Sequence, residues 1–101
     1  MKYEDLSDEA RELVLHGDNT EHLYKTSHQP IIKNLAKKKA KGNYDEAKAR
    51  KLWNYHADRA AQSYHKEYGS PHHPWHKMFE PSHRKEAASH WEAKHREELE
   101  E

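Results

Sequence analysis

The sequence predicts an all-α fold, built as one small helical domain over residues 1–101. No stretch longer than four residues alternates apolar and polar side chains with the period of two that a strand requires. Apolar residues instead recur at steps of three and four, as on one face of a helix. Only three Gly and four Pro interrupt these segments, and eleven Ala favour helix.

The apolar core is expected to be thin and mainly aromatic. Leu, Ile, Val and Phe together supply only 11 residues, but three Trp and six Tyr can bury large surfaces. A domain of this kind is marginally stable and often needs a partner or a second copy. We expect the following side chains to hold it together: Trp53, Tyr55, Tyr64, Trp75, Phe79 and Trp91.

Two helices are predicted in the first part of the chain. Ser7, followed by Asp8 and Glu9, is typical of a helix N-cap with an acidic first turn, and we expect this short helix to end at Gly17. The segment 18–21 offers the next cap, and a long helix at about 19–41 should stop at Gly42. Pro30 lies inside it, which predicts a kink or break around residues 27–29 because Pro lacks a backbone donor.

A third helix is predicted at about 45–68, capped by Asp45 or Asn43 and ended by Gly69. Because its connection to the preceding helix is short, the two should form an antiparallel hairpin. Residues 70–81 form a Pro/His-rich connection, in which residues 75–79 should fold back onto the helices as an anchor. A last helix at about 82–99 would turn Ala88, Trp91, His95 and Leu99 inward.

Charge is sorted along the chain although the total is zero. Residues 1–22 carry two basic and seven acidic side chains, whereas residues 31–51 carry eight basic and two acidic ones. The lysines around the predicted turn suggest a surface for nucleic-acid phosphates. The candidate binding residues, which we call the basic corner, are Lys37, Lys38, Lys39, Lys41, Lys48 and Lys51. Tyr44 at the tip, with Trp53 or Tyr55 nearby, could stack on unpaired bases.

A second interpretation of this charge pattern is structural. The acidic first helix could pack beside the basic helix and neutralise it, and exposed ion pairs of this sort contribute only about 0–1 kcal/mol each. The zero net charge also argues against a dedicated DNA-binding protein, because such domains usually carry a strong positive balance.

Eleven histidines raise the question of a metal site, but the pattern predicts none. No predicted helix carries a His pair at i, i+4, and without Cys the weak candidates are His72, His73 and His76 in the proline-rich connection. His56 and His95 fall on apolar stripes, where hydrogen-bonded core residues are expected. A pH-sensing role for the histidines is an alternative to this structural one.

Catalysis, cofactors and membrane insertion are not predicted. The sequence has no Gly-x-Ser-x-Gly elbow, no phosphate-binding glycine loop and no cysteine. No apolar run reaches the roughly 18 residues of a membrane span, and residues 1–5 lack the pattern of a signal peptide. We therefore expect a cytoplasmic, non-enzymatic protein without a cofactor.

One long stretch resembles a known group of sequences. Residues 34–45 read NLAKKKAKGNYD, and they are followed by Ala49-x-Lys51-Leu52-Trp53-x-Tyr55 and Ala60-Ala61-x-x-Tyr64-x-Lys66-Glu67-Tyr68. These motifs resemble a group of short uncharacterised proteins from bacteriophage and environmental sequences, over about residues 19–95. The resemblance implies a small helical accessory protein, in the host cytoplasm or the virion, and implies no activity.

Two functions of different class remain open. The first is a non-catalytic protein that binds nucleic acid through the basic corner. The alternative is a protein-binding module, such as an adaptor, an inhibitor of a host protein or a virion component. That module would use an exposed aromatic or acidic face and could form a homo-oligomer.

Overall fold

The structure, a computed structural model, describes residues 3–100 and the side chains of residues 3–99. A short 3-10 helix (Tyr3–Asp5) precedes α1 (Asp8–Asn19), α2 (Glu21–Leu23), a π-helical turn (Tyr24–His28), α3 (Gln29–Ala40), α4 (Glu46–Tyr68), α5 (Trp75–Met78) and α6 (Pro81–Glu100). No strand occurs among residues 3–100, which confirms the all-α prediction. Within these residues no helix is both long and apolar enough to cross a lipid bilayer.

α4 is the central helix of the fold. It packs along α6 and α1, which also contact each other. The stretch from α2 through the π-helical turn to α3 runs antiparallel to α4, as the predicted hairpin requires: Ser27 meets His56, and Thr26 meets Arg59. The connection between α3 and α4 is short, as expected. The domain measures 46 × 27 × 20 Å.

Most of the predicted helix ends are confirmed. Ser7 Oγ accepts a hydrogen bond from the amide of Ala10 at 3.2 Å, and Asp45, rather than Asn43, caps α4 by accepting from the amides of Ala47 and Lys48. Gly42 has a φ of 74°. Its amide and the next one bond back into the last turn of α3, which is a Schellman C-cap.

The prediction that α1 ends at Gly17 is wrong, because the helix continues to Asn19. Gly17 is instead a point of close approach between α1 and α6: a Cβ atom there would lie 2.8 Å from the Trp91 ring. The predicted cap at 18–21 is also only partly right. Thr20 occupies the N-cap position of α2 but makes no side-chain cap, since its hydroxyl donates to the carbonyl of His16.

Instead of a break around residues 27–29, the chain forms a π-helical turn immediately before Pro30. Pro30 has no N–H to offer the carbonyl of Thr26, four residues earlier. In the π-helical turn the amide of Gln29 donates to the carbonyl of Tyr24, five residues earlier. The carbonyl of Thr26 accepts from the guanidinium of Arg59 on α4, at 3.5 Å. The chain therefore stays helical where a break was expected.

The core is less aromatic than predicted. Besides Trp53, Phe79 and Trp91, its buried apolar residues are aliphatic, seven of them Ala, and Tyr64 and Trp75 are only partly buried against them. Trp53 and Trp91 are fully buried and stack with ring centroids 6.2 Å apart. Phe79 is buried against Tyr64, so the fold-back of residues 75–79 is confirmed. Tyr55 was expected in the core, but its side chain is 60% exposed on the outer face of α4.

Gly17→Ala should destabilise the protein, although Ala normally favours a helix over Gly by about 1 kcal/mol. The added methyl group would overlap the Trp91 ring, and overpacking of this kind typically costs about 1–3 kcal/mol. Urea unfolding of the variant measures the difference. Ala47→Gly at an exposed helical site calibrates the propensity effect, and an increase in stability for Gly17→Ala would contradict the close packing described here.

Candidate nucleic-acid interface

The basic corner lies where α3 ends and α4 begins. Lys38 is half-buried, and its carbonyl accepts the last bond of the Schellman turn. The other five lysines are exposed. Three of the lysines stand in the last turn of α3, where cations interact favourably with the helix dipole. The tight turn through Gly42 brings Lys41 and Lys48 to the same end of the molecule.

The carboxylates closest in sequence to the corner are engaged elsewhere. Asp45 is committed to capping α4. Glu46 accepts from Arg50 and from Arg96, each at 2.8 Å. Among the described side chains, no carboxylate oxygen lies within 4 Å of an ammonium group of the basic corner. Among the side chains of residues 3–99, the corner therefore presents several lysines that form no ion pair.

The acidic first helix does not cover this charge. Glu9 lies 3.8 Å from His83 at the start of α6, and Glu12 accepts from the Tyr64 hydroxyl at 3.4 Å. Tyr64 is sixteen positions beyond Lys48 on α4, which corresponds to about 24 Å of helical rise. The alternative in which α1 neutralises the basic helix is not the packing observed.

Of the three predicted stacking residues, one is buried and one is half-buried. Trp53 is fully buried. Tyr44 is half-buried against α6, and burial, followed by the neighbouring Glu92 carboxylate, raises the pKa of its hydroxyl. Tyr44 is therefore part of the packing beneath the corner rather than a free ring. Only Tyr55 is exposed enough to meet a ligand face to face.

A groove runs beside the exposed Tyr55 ring, between α4 and the helix that carries Pro30. We call it the Tyr55 groove; it encloses about 220 Å³ and is lined by Thr26, Ser27, Pro30, Ile31, Asn34, Leu52 and Tyr55. Lys48 and Lys51 precede Tyr55 by seven and four residues, so they share its stripe on α4. Lys37 on α3 and Lys41 at its C-cap follow Asn34 by three and seven residues in the same way. The basic corner and the groove therefore form one continuous surface.

Behind the groove, three histidines from three helical segments meet in the core. His56 Nδ1 lies 2.8 Å from Ser27 Oγ, and His28 Nε2 lies 3.1 Å from His95 Nε2. His95 Nδ1 lies 2.7 Å from Glu98. Because an ionised carboxylate only accepts, Nδ1 of His95 donates to Glu98 in this contact. Trp53 stacks on His95 with centroids 5.0 Å apart.

Burial keeps two of these histidines neutral. It lowers the pKa of His28 to about 4, with His95 adding to the effect and Asp18 opposing it. Burial also lowers the pKa of His56 to about 3, with His28, Arg59 and His95 acting in the same direction. The expectation that His56 and His95 are hydrogen-bonded core residues is thus met. His28 was missed because it falls in the segment where a break was predicted.

The weak metal candidates lie apart from this cluster. His72, His73 and His76 are exposed in and after the proline-rich connection, and His76 contacts the Trp75 ring edge-on. Within the described side chains, no group of three or more His, Asp or Glu is arranged to hold a metal ion.

No protein-family model, curated protein or solved structure matches this chain. The likeness of about residues 19–95 to the bacteriophage group therefore stays a prediction.

The protein should lose stability as the pH falls below about 6.5. The unfolded chain protonates His28 and His56 near their ordinary pKa, whereas the folded chain does not until about pH 4 and about pH 3. The contribution of these two histidines to the free energy of unfolding therefore has its full value above about pH 7. About 4 kcal/mol of that free energy should be lost between about pH 7 and pH 5. Urea unfolding at the two pH values measures the loss.

His56→Asn provides the test of its origin. Asn can keep a hydrogen bond to Ser27 but does not titrate, so the variant should show a smaller difference between the two pH values. The matched control is His73→Asn at an exposed site, which should leave the difference unchanged. Equal stability of the unmodified protein at pH 7 and pH 5 would show that the cluster is not held neutral.

Proposed function

We propose that this chain is a non-catalytic accessory protein of the phage type that binds nucleic-acid phosphates through the basic corner. One observation carries the proposal: six lysines lie at one end of the molecule, and five of them are exposed. Among the described side chains, no carboxylate oxygen lies within 4 Å of their ammonium groups. Unpaired surface cations at this density attract a polyanion and release its condensed counterions.

The backbone at the corner supports lysine-based binding rather than helix-terminus binding. The amides of Ala47 and Lys48 in the first turn of α4 already donate to the Asp45 side chain, so they are not available to a phosphate. Contacts through ammonium groups are point-like and carry no sequence information. Binding is therefore expected to be insensitive to sequence and strongly dependent on salt.

Lys38→Glu combined with Lys41→Glu should abolish binding of an oligonucleotide. Each reversal removes one counter-charge to phosphate and adds a repulsion. Fluorescence anisotropy of a labelled oligonucleotide, titrated at about 50 mM and about 200 mM salt, should show the unmodified protein losing affinity steeply as salt rises.

The matched control is Lys77→Glu combined with Lys85→Glu, which changes the net charge equally at exposed positions in α5 and near the start of α6. This variant should bind nearly as well as the unmodified protein. If both pairs of reversals weaken binding equally, net charge and not the corner is responsible, and the proposed interface is wrong.

A second candidate function is supported by a different surface. A groove of about 340 Å³ between α1 and α4 is lined by Glu12, Leu15, His16, Asn19, Thr20, Tyr64, Glu67 and Tyr68. Leu15 and Tyr68 are 47% and 66% exposed, and carboxylates beside aromatic rings favour a basic side chain. This face suits the protein-binding alternative, including association with a second copy.

The two candidates give different results in light scattering. Association through the acidic face should appear as a dimer or larger species that Tyr68→Ala dissociates and that the Lys38 and Lys41 reversals leave intact. A monomer at all concentrations would remove self-association, while leaving the nucleic-acid interface untouched.

A further inference from the structure

We infer that the Tyr55 groove takes an unpaired base stacked on the Tyr55 ring, so that the partner is single-stranded nucleic acid rather than a duplex. This inference rests on the proposed function, because the phosphates on either side of that base would be held by the basic corner. It adds a binding site and a strand preference that lysines alone do not provide.

The groove has the composition of a stacking site. The Tyr55 ring is 60% exposed and stands over an apolar floor that includes Pro30, Ile31 and Leu52. An exposed aromatic ring beside an apolar recess offers both a π-face and a surface to be desolvated. Stacking of a base on such a ring is worth about 1–3 kcal/mol and does not depend on which base is present.

Positive charge borders the stacking site at both ends. Arg59 follows Tyr55 by one helical turn, and its guanidinium lies over one face of the Tyr55 ring, 5.9 Å from the centroid, while it bonds to Thr26 at 3.4 Å. A base would therefore stack on the opposite face of the ring. Lys51 and Lys48 precede Tyr55 on the same stripe of α4 and lead to the basic corner. A strand lying along α4 would therefore meet cations before and after its stacked base.

The other strongly exposed tyrosine does not offer the same environment. Tyr68 is 66% exposed but lines the groove that also contains Glu12 and Glu67. These carboxylates would repel the phosphates of a strand stacked there. Exposure alone does not distinguish the two rings, whereas the surrounding charge does.

A duplex cannot use the Tyr55 ring in this way. Each base in a duplex has both faces covered by its neighbours, so only its edges and the phosphates are presented to a protein. A base can cover the Tyr55 ring only if it is unstacked from its own strand, which is easiest where the strand is single.

The inference is tested by titrating three labelled probes of equal length: an oligothymidylate strand, a duplex, and a single strand with abasic sites. The unmodified protein should bind the oligothymidylate most tightly. Tyr55→Ala should weaken that binding about five- to 150-fold, the equivalent of one lost stacked base, and should leave the duplex and abasic probes unaffected. Tyr55→Phe should bind like the unmodified protein.

Tyr68→Ala is the matched control, because it removes an equally exposed ring of the same helix and should leave all three affinities unchanged. If Tyr55→Ala has no effect, or weakens all three probes equally, the stacking site is wrong. The proposed function still stands in that case provided that the Lys38 and Lys41 reversals abolish binding. If the unmodified protein binds none of the probes, both the site and the function are overturned.

Discussion

Pro30 has no backbone N–H, and the rest of the structure depends on how the helix around it accommodates that loss. The π-helical turn at residues 24–28 keeps the chain helical and places Ser27 and His28 in the core. The carbonyl of Thr26 then accepts a hydrogen bond from Arg59. One missing donor therefore shapes both the floor of the Tyr55 groove and the polar core behind it, which agrees with the frequent occurrence of such turns at functional sites.

The buried histidines compensate for a shortage of aliphatic side chains. His28, His56 and His95 pack around Trp53, His56 also contacts Trp91, and all three contribute ring area together with hydrogen bonds. A neutral imidazole suits this position because it can both donate and accept. The same arrangement makes the core sensitive to acid, since a proton added to a buried ring has no water to stabilise it.

The distribution of charge follows from packing rather than from net composition. Near the corner, the Glu46 carboxylate pairs with two arginines. No carboxylate oxygen among the described side chains lies within 4 Å of the ammonium group of a corner lysine. The acidic α1 lies toward the far end of α4 from the corner. A chain of zero net charge thus carries one basic end and one acidic, aromatic face, and each suits a different kind of partner.

The sequence by itself determined the elements whose causes are local. The Ser7 and Asp45 caps, the Gly42 turn and the apolar stripe of α4 each depend on residues within a few positions of one another, so all were predictable. Tertiary structure alone decided which rings are accessible: Tyr55 lies outside and Tyr44 is partly covered. It also decided that the Trp91 ring packs against Gly17 and that His28 lies in contact with His56 and His95. These outcomes depend on contacts between helices distant in sequence, and helical periodicity places a residue on a face without saying what covers that face.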